Sequence, residues 1–380
     1  MITRIINGIE IEINPEAADE IYFDEEFARK LKSEDITDIL NSIYSEKNEF
    51  KILKLTWEIT NFCNFNCKFC YINTPQNKGN KCIYSRFEEL RGYIDTMVEQ
   101  GLLFCTLSGG ECLSHPDFIK IYEYLKLKGV IVTVFTNLSL LTDKILNAFK
   151  KYPPYCIEVS IYGMEENVFR NVTMQEKYNA EDILNNILKL KSNGFNVVCK
   201  TPINSLTQND FYNIKNWCKN HEFKYYYSSE VYDSYDGDDN SKYELTDENI
   251  KSEFLSDYSA NVIELDLSNK EHKKAFYCKA GTYSAFLSYD LHLRPCLSFY
   301  DINQANFNIK DEGVEAAIKK MKIFISSLFG TKIKYCKGCN YCQVCDVCIV
   351  TVYKHSNDLQ DYMNNHCKSL ELKVNEMLGE

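Results

Sequence analysis

Cys63, Cys67 and Cys70 stand in the run Asn61-Phe-Cys-Asn-Phe-Asn-Cys-Lys-Phe-Cys-Tyr71, spaced C-x3-C-x2-C. Three thiolates this close can hold three corners of an iron–sulfur cube, whose usual form takes four cysteines. The shortage leaves one iron open to another ligand, which turns an electron carrier into a catalyst. Structural zinc sites pair their cysteines as C-x2–4-C and need a second pair or a histidine couple. No H-x3–5-H follows here. Asn66 and Lys68 are interleaved with the cysteines, so the segment reads as a loop and not as an apolar strand.

A strand must position this loop. Ile52 to Thr60 alternates and is rich in β-branched residues, as a strand should be. The cysteines therefore follow its carboxyl end, where open parallel sheets and barrels keep their active sites. Further strands are expected at 52–59, 103–107, 131–135, 156–161, 196–202 and 223–228. Amphipathic helical stretches lie between them, including Ser85–Gln100, His115–Lys128, Ala180–Asn193 and Gln208–Asn220. Six βα units of this kind imply a parallel sheet over residues 50–228.

Residues 1–49 read as a strand from Arg4 to Ile13 and one or two amphipathic helices, including Asp35 to Ile43, that cap the barrel. Residues 229–262 are acidic and read as a solvated linker. The carboxylates of Asp236-Gly-Asp-Asp239 do not fall at the positions of a calcium-binding EF-hand loop. Residues 263–380 are rich in cysteine and form a second domain.

The bulk composition narrows the partners. The chain has 380 residues, more than one small core uses, and a net charge of −11. A nucleic-acid binder would be basic more often, so that partner is not expected. The N-terminus has no apolar signal core, and no uncharged apolar window approaches ~18 residues, so neither export nor a membrane span is expected. A cytoplasmic location follows, and there seventeen cysteines argue for metal and against disulfides. Cys82, Cys105, Cys112, Cys156, Cys199 and Cys218 are scattered in apolar or helical contexts and read as core fillers.

With Phe69 and Tyr71 beside the triplet, the segment resembles the radical S-adenosylmethionine (SAM) superfamily. The resemblance implies a partial (β/α)6 TIM-like barrel, a [4Fe-4S] cluster on Cys63, Cys67 and Cys70, and SAM chelated at the open iron. One electron then cleaves SAM to a 5′-deoxyadenosyl radical, which abstracts hydrogen from a substrate. Leu107-Ser-Gly-Gly-Glu-Cys112 follows the second strand. Its glycines permit close backbone approach, and the family uses this Gly109-Gly110-Glu111 segment on the SAM amino group, with Glu111 as an acceptor for the ammonium. Asn137 resembles the asparagine of a family Asn-Gly turn near the ribose, although Leu138 replaces the glycine. Ser160, in Val159-Ser-Ile-Tyr-Gly163, resembles a serine that meets SAM in relatives. Lys200 could neutralise the SAM carboxylate, with Arg170 a competitor for that task.

The C-terminal cysteines resemble a seven-cysteine SPASM domain, C-x9–15-G-x4-C, C-x2-C-x5-C-x3-C and a last cysteine. Cys278, Cys296, Cys336, Cys339, Cys345, Cys348 and Cys367 follow it. Three departures stand out. Leu291 replaces the glycine, the last interval is x2, and Cys342 is extra. Carried over, Cys278, Cys296 and Cys348 hold one auxiliary cube, and Cys336, Cys339, Cys345 and Cys367 hold another. The first then has an open iron or uses Cys342. A zinc ribbon is the plainer alternative for these eight cysteines.

The resemblance implies three clusters, SAM, a flavodoxin- or ferredoxin-type electron donor and a ribosomally synthesised precursor peptide. Some peptide-modifying relatives carry an N-terminal leader-binding domain of winged-helix type; residues 1–49 are too short for a complete one and read as a simple cap, with a rudimentary leader-binding segment as the alternative. The expected activity is that of a peptide maturase forming a thioether or carbon–carbon cross-link. Formylglycine formation of the sulfatase-maturing kind is the alternative, although relatives of that kind place an aspartate base where Leu297 stands. Peptide epimerisation, small-molecule radical chemistry and a non-catalytic iron–sulfur or zinc scaffold complete the alternatives.

Overall fold

The computed structural model describes residues 1–30, 36–46, 51–72, 82–235, 237–251, 278–336, 348–355, 361–365, 367–368 and 371. Cys339, Cys342 and Cys345 lie outside the described residues, as do the acidic Asp236 and residues 252–277.

Six parallel strands build the centre: β4 (Lys54–Glu58), β5 (Phe104–Ser108), β6 (Ile131–Thr136), β7 (Cys156–Ser160), β8 (Val197–Pro202) and β9 (Lys224–Ser228). Each pairs with the next in chain order. Sequential order with right-handed crossovers puts the helices on one face, so the sheet curls into an open partial barrel. The main helices are α3 (Phe87–Glu99), α4 (Phe118–Leu127), α5 (Asp143–Lys151), α6 (Glu166–Thr173), α7 (Ala180–Ser192) and α8 (Phe211–Asn220). They bury Ile94, Ile121, Phe149, Ile187 and Ile214 against strand residues such as Val132 and Ile157. Local signals start them where the core needs them: the Thr142 hydroxyl accepts from Ile145 N–H, and Asn179 with Asp182 forms a capping box.

The C-terminal region is joined to this sheet. Strand β10 (Ser284–Leu287) runs parallel to β4, and β11 (His292–Arg294) and β12 (Phe307–Asn308) add antiparallel strands beyond it. The long α10 (Val314–Cys336) is tied beneath β4 by the buried Lys322 ammonium, which donates to the Lys51 carbonyl at 2.8 Å. Helix α9 is Ile309–Glu312, and the short α11 is Ile349–Lys354.

Two expectations change at the N-terminal end and in the acidic segment. Arg4 to Ile13 is a hairpin, β1 (Ile2–Ile6) and β2 (Ile9–Ile13), because Asn7 and Gly8 turn with φ of 54° and 81°. With β3 (Ile21–Phe23), α1 (Glu25–Lys30) and α2 (Ile36–Glu46), it covers the amino ends of β4–β6 through Leu53, Leu103 and Ile131. This is the end of the barrel away from the cysteine loop. The acidic segment is not simply solvated. Ser234 and Asn240 are buried, Asp238 N–H donates to the Ser234 hydroxyl at 2.8 Å, and Asn240 N–H donates to the Asp233 carboxylate at 3.0 Å. Charge in the sequence hid the aromatic anchor Tyr235. Cys82 is likewise exposed, whereas Cys105, Cys112, Cys156, Cys199 and Cys218 are buried.

Candidate active site

A cavity of about 460 Å³ opens at the carboxyl ends of β5–β9. Cys63, Cys67, Cys70, Phe69, Gly109, Gly110, Asn137, Ser160 and Lys200 all line it. The cysteine loop is held from two sides. Asn66 and Lys68 N–H groups donate to the Thr173 and Val172 carbonyls at the end of α6, at 2.8 and 3.1 Å. Gly110 and Glu111 N–H groups donate to the Thr60 and Phe62 carbonyls, at 2.9 and 2.8 Å. Phe65 fills the interior between Tyr162, Phe169 and Tyr178.

The two glycines are required by this packing. Gly109 has φ of 145°, and a Cβ there would come within 2.5 Å of the Thr60 carbonyl oxygen. A Cβ on Gly110 would come within 2.3 Å of the Phe62 carbonyl oxygen. The close approach is first to the cysteine loop itself. Glu111 is also reassigned. It is 2% exposed, and its carboxylate accepts from Leu113 N–H (3.0 Å), the Thr136 hydroxyl (2.6 Å) and Asn137 N–H (2.7 Å). These partners turn it into the β5–β6 junction, and it is not among the cavity-lining residues. Burial raises its pKa, and the hydrogen bonds from Thr136 and Asn137 oppose that rise. The segment therefore offers the cavity backbone polar groups instead of a carboxylate.

Asn137 donates to the Cys63 sulfur at 3.7 Å and to the Asn64 side chain at 3.1 Å. Leu138, where the family pattern has glycine, keeps the left-handed backbone with φ of 61° and is fully buried. Tyr162, from the Ser-Ile-Tyr-Gly run, adds a hydroxyl hydrogen-bonded to the Cys67 thiol and to Ser160. Lys200 is already paired, donating to Glu158 on β7 at 2.6 Å with its ammonium 5.3 Å from the Phe135 ring. Arg170 pairs with Glu166 on its own helix at 2.6 Å and does not line the cavity.

The thiols fit a metal cluster. Burial raises the pKa of Cys63 and Cys67 well above the usual thiol value, and the charges of neighbouring cysteines raise it further. Three facing thiolates in such a place require a compensating cation. An iron–sulfur cube supplies one and spreads the three sulfurs over separate irons. Among the described residues no three His, Cys, Asp or Glu converge closely enough to hold a single ion.

A second cavity of about 620 Å³ adjoins the first, and Tyr71, Glu230, Val231 and Tyr232 line both. Cys348 lines the second. Burial and the charges of Cys348 and Cys278 push the Cys296 thiol up to about 11, so these three cysteines lie within electrostatic reach of one another. Leu291, in the β10–β11 turn, has φ of 66°, the backbone that the glycine of the family pattern would adopt freely. Cys367 is exposed, and Cys336 closes α10.

Between the cavities lies a polar knot that the cysteine motifs do not announce. Glu58, at the end of β4 and 0% exposed, accepts from the Tyr71 hydroxyl at 3.0 Å and from the Tyr235 hydroxyl at 3.3 Å. Tyr235 N–H donates to the Tyr71 carbonyl at 2.7 Å, and the Arg294 guanidinium lies 5.7 Å from the Tyr235 ring centre. Burial pushes Glu58 up to about 8 against the opposing pull of Tyr71, Arg294 and Tyr235. The hint in the sequence is an acidic residue at the carboxyl end of the strand Lys54–Glu58, just before the cysteine loop.

Residues 57–215 match the family described as the Radical SAM superfamily. The subtilosin biosynthesis protein AlbA of Bacillus subtilis is 34% identical over 110 residues, 28% of this chain and 24% of its own length. GTP 3′,8-cyclase of Mannheimia succiniciproducens is 25% identical over 179 residues, 46% of this chain and 51% of its own. The chain thus spans about a quarter to a half of the length of these curated relatives. Two solved structures share the fold. Streptococcus suis SuiB bound to precursor peptide SuiA has a TM-score of 0.59 at 12% identity, covering 80% of this chain and 77% of that one. The anSMEcpe structure with AdoMet and the Kp18Cys peptide has a TM-score of 0.54 at 17% identity, covering 82% and 99%.

Proposed function

We propose that this chain, which belongs to the radical SAM superfamily through residues 57–215, is a peptide maturase that cross-links a ribosomally made precursor through a thioether or carbon–carbon bond. The observation that carries this reading is the pair of adjoining cavities, one lined by Cys63, Cys67 and Cys70 and the other lined by Cys348, whose charge acts on Cys296. A peptide long enough to cross the shared wall at Tyr71 and Tyr232 would meet both cysteine groups. A [4Fe-4S] cluster with SAM, when bound at the first triplet, supplies a carbon-centred radical able to take hydrogen from an unreactive C–H bond.

The chain's own residues have separable tasks. Cys63, Cys67 and Cys70 would hold the cluster. The backbone of Ser108–Gly110, with Ser160 and Asn137, would orient SAM by hydrogen bonds. Phe65, Phe69 and Tyr162 keep water from the radical. Cys278, Cys296 and Cys348 would hold one auxiliary cluster. Cys336, Cys339, Cys345 and Cys367 would hold the other, with Cys342 in reserve for the first. An electron donor of the flavodoxin or ferredoxin type completes the scheme. Peptide-bound SuiB and anSMEcpe support a peptide substrate by analogy of fold.

The cyclase relatives favour a second reading, a nucleotide substrate. A triphosphate needs several cations. Among the described residues lining the first cavity, Lys200 is the sole lysine or arginine, and Glu158 already neutralises it. The test is anaerobic reconstitution followed by co-expression with a cysteine-containing small open reading frame from the genomic neighbourhood. About twelve irons, 5′-deoxyadenosine release and a peptide lighter by two hydrogens with blocked thiols are expected. An unchanged peptide mass overturns the maturase reading, and bound zinc without SAM cleavage overturns the enzyme reading altogether.

A further inference from the structure

Cross-linking a thiol to a carbon must release a proton, and the cavities place one buried acid where it could leave. Tyr71 lines both cavities, and its hydroxyl donates to Glu58. Tyr235 lines the second cavity, and its hydroxyl donates to the same carboxylate. Glu58 thus bridges the hydroxyls of two tyrosines, one of which lines both cavities and the other the second. Leu297 follows Cys296, so that position offers no base. Glu230 also lines both cavities but is exposed, where any proton it took would exchange with solvent.

We propose that Glu58, reached through Tyr71 and relieved through Tyr235, accepts the proton released when the peptide bond is made. This rests on the maturase reading above. Thioether formation by this route conserves atoms and electrons. A hydrogen atom leaves the peptide carbon for the deoxyadenosyl radical. The cysteine S–H bond breaks as the S–C bond forms. The thiol proton reaches the Tyr71 oxygen while the Tyr71 proton passes to Glu58. The remaining electron goes to a one-electron acceptor of the iron–sulfur class at Cys278, Cys296 and Cys348.

The surroundings suit a base working near neutrality. Burial raises the Glu58 pKa, the Tyr71 and Tyr235 hydrogen bonds and the Arg294 charge lower it, and Asp290, itself paired with His292, raises it. Because the pKa is pushed up to about 8, Glu58 is protonated below that pH and able to accept above it. Arg294 limits the rise, and its Nη1 has no hydrogen-bond partner among the described residues.

The experiment measures cross-linked peptide formed per 5′-deoxyadenosine between pH 6 and 9, with the reconstituted enzyme and its precursor peptide. In the wild type this ratio should rise through about pH 8. In Glu58→Gln deoxyadenosine should persist while the ratio falls at least about tenfold at high pH and loses its slope. Tyr71→Phe and Tyr235→Phe keep the rings and carry the test if Glu58→Gln does not fold. Infrared spectra of the protein without peptide add an independent readout. A protonated carboxyl band should vanish as pH rises through about 8 and be missing in Glu58→Gln. A wild type that cleaves SAM but leaves the peptide unaltered sinks the maturase reading and this inference with it. A wild type that modifies the peptide, matched by Glu58→Gln at every pH, overturns this inference alone.

Discussion

The two cysteine groups are built in opposite ways. Cys63, Cys67 and Cys70 come from one loop of eight residues, fastened by backbone hydrogen bonds to α6 and to the Gly109-Gly110 turn. Cys278, Cys296 and Cys348 come from three distant segments that meet only because β10 joins the barrel sheet and α11 packs beside the β11 turn. The first group is assembled by local sequence and the second by the tertiary fold. A cluster held at the second would therefore be coupled to folding of the C-terminal region, as is general for sites absent from the unfolded chain.

Five substitutions test this contrast. Cys70→Ala should abolish SAM cleavage, measured as 5′-deoxyadenosine, and lower bound iron by about one cube. Cys296→Ser should also lower iron but leave deoxyadenosine formation in place while cross-linked peptide is lost. Equal loss of both products would mean that the two groups are not separable. Gly110→Ala forces a methyl group against the Phe62 carbonyl and should cost about 3 kcal/mol in denaturant unfolding. Its iron loss should fall on the first group. Leu138→Gly and Leu291→Gly test the two positions where leucine holds a left-handed backbone. Relief of that backbone is worth about 1 kcal/mol, whereas losing a buried leucine costs about 3 kcal/mol. Each should therefore lower stability by about 2 kcal/mol, and a gain in stability would show that strain outweighs packing.

Much of this architecture was legible without coordinates. The six strands announce themselves by alternation and β-branched content, and the observed β4–β9 fall within a residue or two of the expected ranges. What misled was local ambiguity. The alternation of Arg4–Ile13 continues through Asn7-Gly8 and masks the hairpin turn. The acidic residues near Asp233 suggest solvent, whereas Tyr235 anchors that segment on Tyr71 and Glu58. Glu111 carries a recognisable motif, but a motif does not say which way a carboxylate turns, and here three donors claim it.

The sequence by itself determined the cysteine loop, the strand that presents it and the glycines that admit it, because each depends on neighbours a few residues away or on a simple periodicity. Only the folded chain decided that Lys200 is spent on Glu158, that Cys278, Cys296 and Cys348 come within electrostatic reach of one another, and that Glu58 sits between two tyrosines. Those facts depend on which strand ends lie side by side. Burial and pairing across 42 to 177 residues of chain are properties of the folded sheet, not of any segment of it.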